Sequence, residues 1–147
     1  MGALGKFLTL ERSKRQLLVK TALAVTLARV ETQVVPFRQI ARSLKSGDPE
    51  NSAGGDGAFD KAKAFGWSVD VVARRFPWCR NCLAQAVVTK RYLNRLRIPS
   101  TLFLGVATAA PRTGNLAAIE AHAWIECGGR ILTGASDEEY KIVYSQS

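Results

Sequence analysis

Histidine is nearly absent from this 147-residue chain: His122 is the only one. A zinc site built on paired histidines is therefore excluded, and any catalytic imidazole has to be this one. Cysteine is scarce as well. Three cysteines, an odd number, do not make a disulfide framework. A reducing, cytoplasmic setting is the expectation that goes with so few thiols. Acid is short against base, with 12 Asp and Glu facing 21 Lys and Arg for a net charge of +9. That balance favours anionic partners: nucleic acid, anionic lipid or an acidic peptide. Nucleic acid is not expected, because neither zinc-finger spacing nor an RNA-binding aromatic motif is present. Long apolar runs are missing too. Leu17 to Ala28 is interrupted by Lys20 and falls short of the roughly 20 residues a membrane span needs. It also lies past Glu11 and several basic residues, the wrong place for a secretory signal. No transmembrane segment is expected.

What is present fits one compact domain: a 47% hydrophobic fraction over this length can bury a core. Within it the chain divides at residue 57. Residues 1–57 read as an N-terminal helical arm ending in a loop; residues 58–147 read as the working core. The arm holds a helix over about Leu10 to Val30, with Thr9 as cap and Glu11 in its first turn. Leu17, Leu18, Val25 and Leu27 supply its apolar surface. It is either a core helix or, given Lys14, Arg15, Lys20 and Arg29, a surface that docks on a partner or an anionic membrane. Pro36 ends it, and Phe37 to Leu44 forms a short second helix. Ser46 to Gly57, rich in Gly, Ser, Asp and Asn, is a loop.

Ala58 to Phe76 reads as a helix interrupted near Gly66, with Trp67, Val71 and Val72 facing the core. A further helix runs from Cys82 to Leu96, with Lys90, Arg91 and Arg95 on its wet side. Strands are predicted at Thr101–Ala107, Ala121–Cys127, Arg130–Thr133 and Tyr140–Tyr144. A turn falls at Pro111 to Asn115, and Gly128-Gly129 makes a two-residue hairpin. Helices followed by an antiparallel sheet give an α+β fold.

The stretch Trp78-Cys-Arg-Asn-Cys-Leu-Ala-Gln-Ala86 carries the chemistry. Asn81 is placed to cap the helix that Cys82 opens. A helix N-terminus offers unpaired N–H groups and partial positive charge, conditions that favour a thiolate. One thiol at a helix start and one histidine on a later strand suggest a Cys-His acyl-transfer site. Asn81 and the Cys82 N–H are oxyanion-hole candidates. Cys79 and Cys82 also form a Cys-x-x-Cys pair. A redox motif of that kind usually follows a strand, and here no βαβ pattern precedes it. A zinc site would have to recruit Cys127 and His122. Cys79 and Cys127 read better as packing residues, and no metal or cofactor is expected.

The hairpin makes a geometric prediction. With Gly128-Gly129 as the turn, Cys127 faces Arg130 and His122 faces Ala135. His122, Trp124 and Glu126 share one face of the strand, and Ala123, Ile125 and Cys127 the other. Asp137, diagonal to His122, is the candidate to orient the imidazole.

Four features together resemble the peptidases that remove leaders in lasso-peptide biosynthesis. They are Cys82-Leu83 opening a helix, Arg95-Leu-Arg-Ile-Pro99, Leu104-Gly-Val106, and Ala121-His-Ala-Trp-Ile-Glu126. Those are stand-alone members of the transglutaminase-like family, similar to the C-terminal domain of microcin-processing proteases. The resemblance spans roughly residues 60 to 144. It implies a papain-like Cys-His-Asp peptidase acting on a ribosomally made precursor, with Cys82 as nucleophile and His122 as base. The family aspartate falls near Gly134, which has no side chain, so Asp137 is the nearest substitute. The implied partners are the precursor's leader, a separate small leader-binding protein and the lasso cyclase. The readings beside it are a transglutaminase-like acyltransferase and a catalytically impaired scaffold for a maturation complex.

Overall fold

The computed structural model describes residues 10–45, 57–109 and 118–147. Four helices come first: α1 (Arg12–Val34), α2 (Phe37–Ser43), α3 (Ala58–Arg75) and α4 (Cys82–Arg95). A 3₁₀ turn at Pro77–Cys79 leads into α4. Then come β1 (Thr101–Ala109), β2 (Ala118–Cys127), β3 (Arg130–Thr133) and β4 (Lys141–Gln146), antiparallel in the order β3-β2-β1-β4. The fold is α+β, helices followed by a small antiparallel sheet, as expected.

Helix α1 begins after Glu11, whose side chain makes no cap. Thr9, the expected cap, lies outside the described residues. The helix also runs past Val30 to Val34, since nothing before Pro36 interrupts its hydrogen bonds. Leu18, Thr21, Val25 and Ala28 form its buried face, while Leu27, expected on that face, is 70% exposed. The Thr21 and Ser68 hydroxyls share a buried 2.9 Å hydrogen bond that ties α1 to α3. The first helix thus joins the same core as α3 and α4. The loop expected before α3 falls largely in residues 46–56, and the Pro111–Asn115 turn in 110–117; both lie outside the described residues. Gly57 closes the former as the N-cap of α3, with a left-handed φ of +86°.

Helix α3 is continuous, so Gly66 does not interrupt it as the sequence suggested. Its glycine serves close approach instead. A Cβ at Gly66 would lie 2.8 Å from the Leu132 carbonyl oxygen of β3. Trp67, expected inside, is 42% exposed, whereas Val72 is buried. Lys90 of α4 departs furthest from expectation. Instead of facing water it is fully buried, and its ammonium donates to the carbonyl and hydroxyl of Ser100. Burial lowers its pKa to about 8.

Helix α4 packs on the sheet chiefly at β2. Ala123, Ile125 and Cys127 are buried there, which is the face assigned from the alternation. Gly128 and Gly129 turn the hairpin with φ of +58° and +74°, values suited to glycine. Pairing starts as expected, Cys127 with Arg130 and Glu126 with Ile131, then shifts so that Ile125 faces Thr133. The extra residue on β3 is a bulge. The expected pairing of His122 with Ala135 is therefore not made; on the opposite side of β2, His122 pairs with Gly105 of β1.

Candidate active site

The approach to Cys82 is built by local hydrogen bonds. Pro77 fixes the start of the 3₁₀ turn, and the Cys79 N–H bonds the Phe76 carbonyl at 2.9 Å. The buried side-chain amide of Gln85 donates to the Cys79 carbonyl at 2.8 Å, and Arg29 of α1 donates to the Trp78 carbonyl at 2.9 Å. Asn81 then caps α4 as expected, its Oδ1 accepting from the Ala84 N–H at 2.8 Å. Cys82 follows as the first helical residue, half-buried, with its thiol free. Cys79 and Cys127 are also free thiols, both buried in the core.

Cys82 and His122 line one cavity of about 450 Å³. Helix α4 supplies the thiol and Gln85, β2 supplies the imidazole, and the connection after β3 supplies Gly134. Asp70 and Arg74 of α3 and Arg80 line the remainder. Burial raises the Asp70 carboxyl above its ordinary range, against the pull of Arg74. Both residues thus border the same space.

The imidazole itself is tightly framed. Its Nε2 lies 2.6 Å from the Gly134 carbonyl oxygen. The Tyr140 ring stacks on it at 4.9 Å, and the Trp124 ring lies 6.0 Å away and nearly parallel. Trp124 reaches Glu126, its indole N–H donating to Oε1 at 3.3 Å. Asp137 is exposed on the connection between β3 and β4, and no hydrogen bond joins it to the ring. The groups at the ring are a main-chain oxygen and two aromatic rings. Among the described residues, no cluster of three His, Cys, Asp or Glu is arranged to hold a metal ion. No helix there is long and apolar enough to cross a membrane.

A family model of the transglutaminase-like superfamily matches residues 17–145. The chain belongs to that superfamily. The match takes in most of α1, in keeping with the packing of that helix into the common core. Searches of curated proteins and of solved structures returned no match.

Several residues of this transglutaminase-like cavity were not foreseen. Gln85 had a signal, since it lies three residues beyond Cys82 on the same helix and so shares its face. Arg80 is two residues before the thiol. Asp70 and Arg74 carried none, because only tertiary packing brings α3 to the mouth of the cavity. Tyr140 was read as the start of a strand and instead precedes β4, its ring against His122.

Proposed function

We propose that this transglutaminase-like protein is a cysteine peptidase that cleaves the leader from a ribosomally made lasso-peptide precursor. One observation carries the reading: the only histidine and a capped helix-terminal cysteine line a single cavity. The superfamily match supports the chemistry, and the motifs around Cys82 and His122 support the substrate class.

The Cys82 thiolate adds to the scissile carbonyl while N–H groups at the start of α4 receive the developing oxyanion. The side-chain oxygen of Asn81 is occupied by its cap, so the Cys82 N–H is the better placed of the two oxyanion candidates. His122, having taken the thiol proton, gives it to the departing amine, and a thioester remains. Water, deprotonated by His122, adds to the thioester and releases the leader's new carboxylate and the thiol. Arg74 and Arg80 offer positive charge to acidic side chains near the cleavage point. The separate leader-binding protein brings the precursor.

The test is incubation of precursor and leader-binding protein with the wild-type chain and with Cys82→Ala, read by mass spectrometry. Cleavage by the wild type alone is expected. Cleavage that survives Cys82→Ala removes the proposal, and a leader-amine adduct in place of a free carboxylate identifies an acyltransferase.

A further inference from the structure

We propose that the main-chain carbonyl of Gly134 does for His122 what a carboxylate does in a Cys-His-Asp site: it fixes the ring's tautomer and orientation. This rests on the acyl-transfer reading of Cys82 and His122. Gly134 is then a positioning residue, acting through its backbone.

A carbonyl oxygen can only accept a hydrogen bond. The ring nitrogen 2.6 Å from it, Nε2, must therefore carry a proton. In the neutral ring the remaining lone pair is then on Nδ1, and that is the atom left to take the Cys82 proton. The Tyr140 ring on one flank and Trp124 beside it hold the plane of the imidazole.

The carbonyl reaches the ring because of the bulge in the hairpin. Continuing the shifted register beyond Ile125–Thr133 sets Gly134 beside Trp124. The chain is pressed onto β2 there. A Cβ at Gly134 would collide with the Ala123 carbonyl oxygen and lie 3.0 Å from the Trp124 Cα. Both are main-chain atoms inside a strand and cannot swing aside. The φ of +78° separately disfavours any side chain. The place where the resemblance puts an aspartate is one that no side chain can occupy, and the backbone itself stands against the imidazole.

Because the chain has a single histidine, ¹⁵N imidazole spectra of the intact protein report His122 without ambiguity. With the pH raised until the ring is neutral, the expected result is a proton kept on Nε2 and a bare Nδ1, unchanged in Asp137→Asn. A ring protonated at Nδ1, or one averaging both tautomers, overturns the proposal. So does an Nε2–H tautomer that is lost in Asp137→Asn, which would make the aspartate the orienting group. The readout needs no substrate. A supported tautomer with no precursor cleavage therefore rejects only the peptidase reading, and Cys82-dependent cleavage with the other tautomer rejects only the role of Gly134.

Discussion

Glu31 and Arg91 clasp each other through two hydrogen bonds, at 2.6 and 2.7 Å, joining α1 to the middle of the helix that Cys82 opens. The arginine holds the Glu31 carboxyl below its ordinary value of 4.5. A carboxyl depressed in the folded state stabilises the fold above its unfolded pKa, and that contribution is lost as pH falls through the folded one. The pair is about one-third exposed, so water weakens it. Glu31→Gln should cost about 1 kcal/mol near neutrality and much less at pH 3. Urea titrations of both proteins at the two pH values check this, and an equal difference at both would contradict it.

Lys90 predicts a slope of the same sign in an alkaline window. Burial brings its pKa from 10.5 to about 8, with the nearby Cys127 thiol pulling the other way. Between those values the unfolded chain binds more protons than the folded one, so this group makes stability rise with pH. Relative to Lys90→Met, wild type should therefore gain stability as pH climbs from about 8 towards 10.5. Denaturation of both proteins at pH 7 and pH 10 measures the two differences, and a constant difference argues against a charged Lys90 in the core.

Gly105 faces His122 across β1 and β2. A Cβ there would meet Tyr140 Cβ at 2.7 Å and the Trp124 ring at 2.9 Å. Gly105→Ala should displace the aromatic frame of the imidazole, costing about 1–3 kcal/mol of stability and lowering the cleavage rate. Thermal melts and a cleavage assay on the same sample test both halves. A fully active, equally stable variant would show that the frame is not needed.

The thiol and the base should be separable from the fold. Cys82→Ala should abolish cleavage, and His122→Ala should lower it about 10²–10⁴-fold, with melting curves little changed. Asn81→Ala removes the cap, so it should lose about 1 kcal/mol of stability together with part of the rate. If Asn81→Ala destabilises α4 with no effect on rate, the cap does not help position the thiol.

The excess of basic residues gives an ionic-strength prediction. If positive charge steers an acidic leader, cleavage of dilute precursor should slow as salt rises from 50 to 300 mM, roughly the range over which screening sets in. Rates independent of salt would leave the charge without that role.

Local chemistry made much of this structure readable. Asn81 before an apolar-periodic stretch marked the cap, and Gly128-Gly129 marked the hairpin. The alternation from Ala121 to Cys127 assigned both faces of β2. What escaped depends on groups distant in the chain. Arg-Ile-Leu-Thr in β3 carries no sign of an inserted residue, so the bulge, and with it the Gly134 carbonyl at the imidazole, could not be read. Lys90 looks like a surface lysine until the face of α4 that meets the sheet is known. Gly66 was ambiguous because a helical glycine can mark either a break or a close neighbour, and the neighbour here comes from Leu132, far along the chain.

That neighbour has a wider effect. The single hydrogen that Gly66 carries in place of a methyl lets α3 settle against the Leu132 carbonyl. The same helix bears Asp70 and Arg74 on one wall of the cavity, and the strand it touches leads directly to Gly134 on the other. The gap between the walls is therefore gauged about one helical turn from Asp70 and about two from Arg74. A larger residue at position 66 would act as a shim, prising the walls apart and altering which substrates fit without touching any of them.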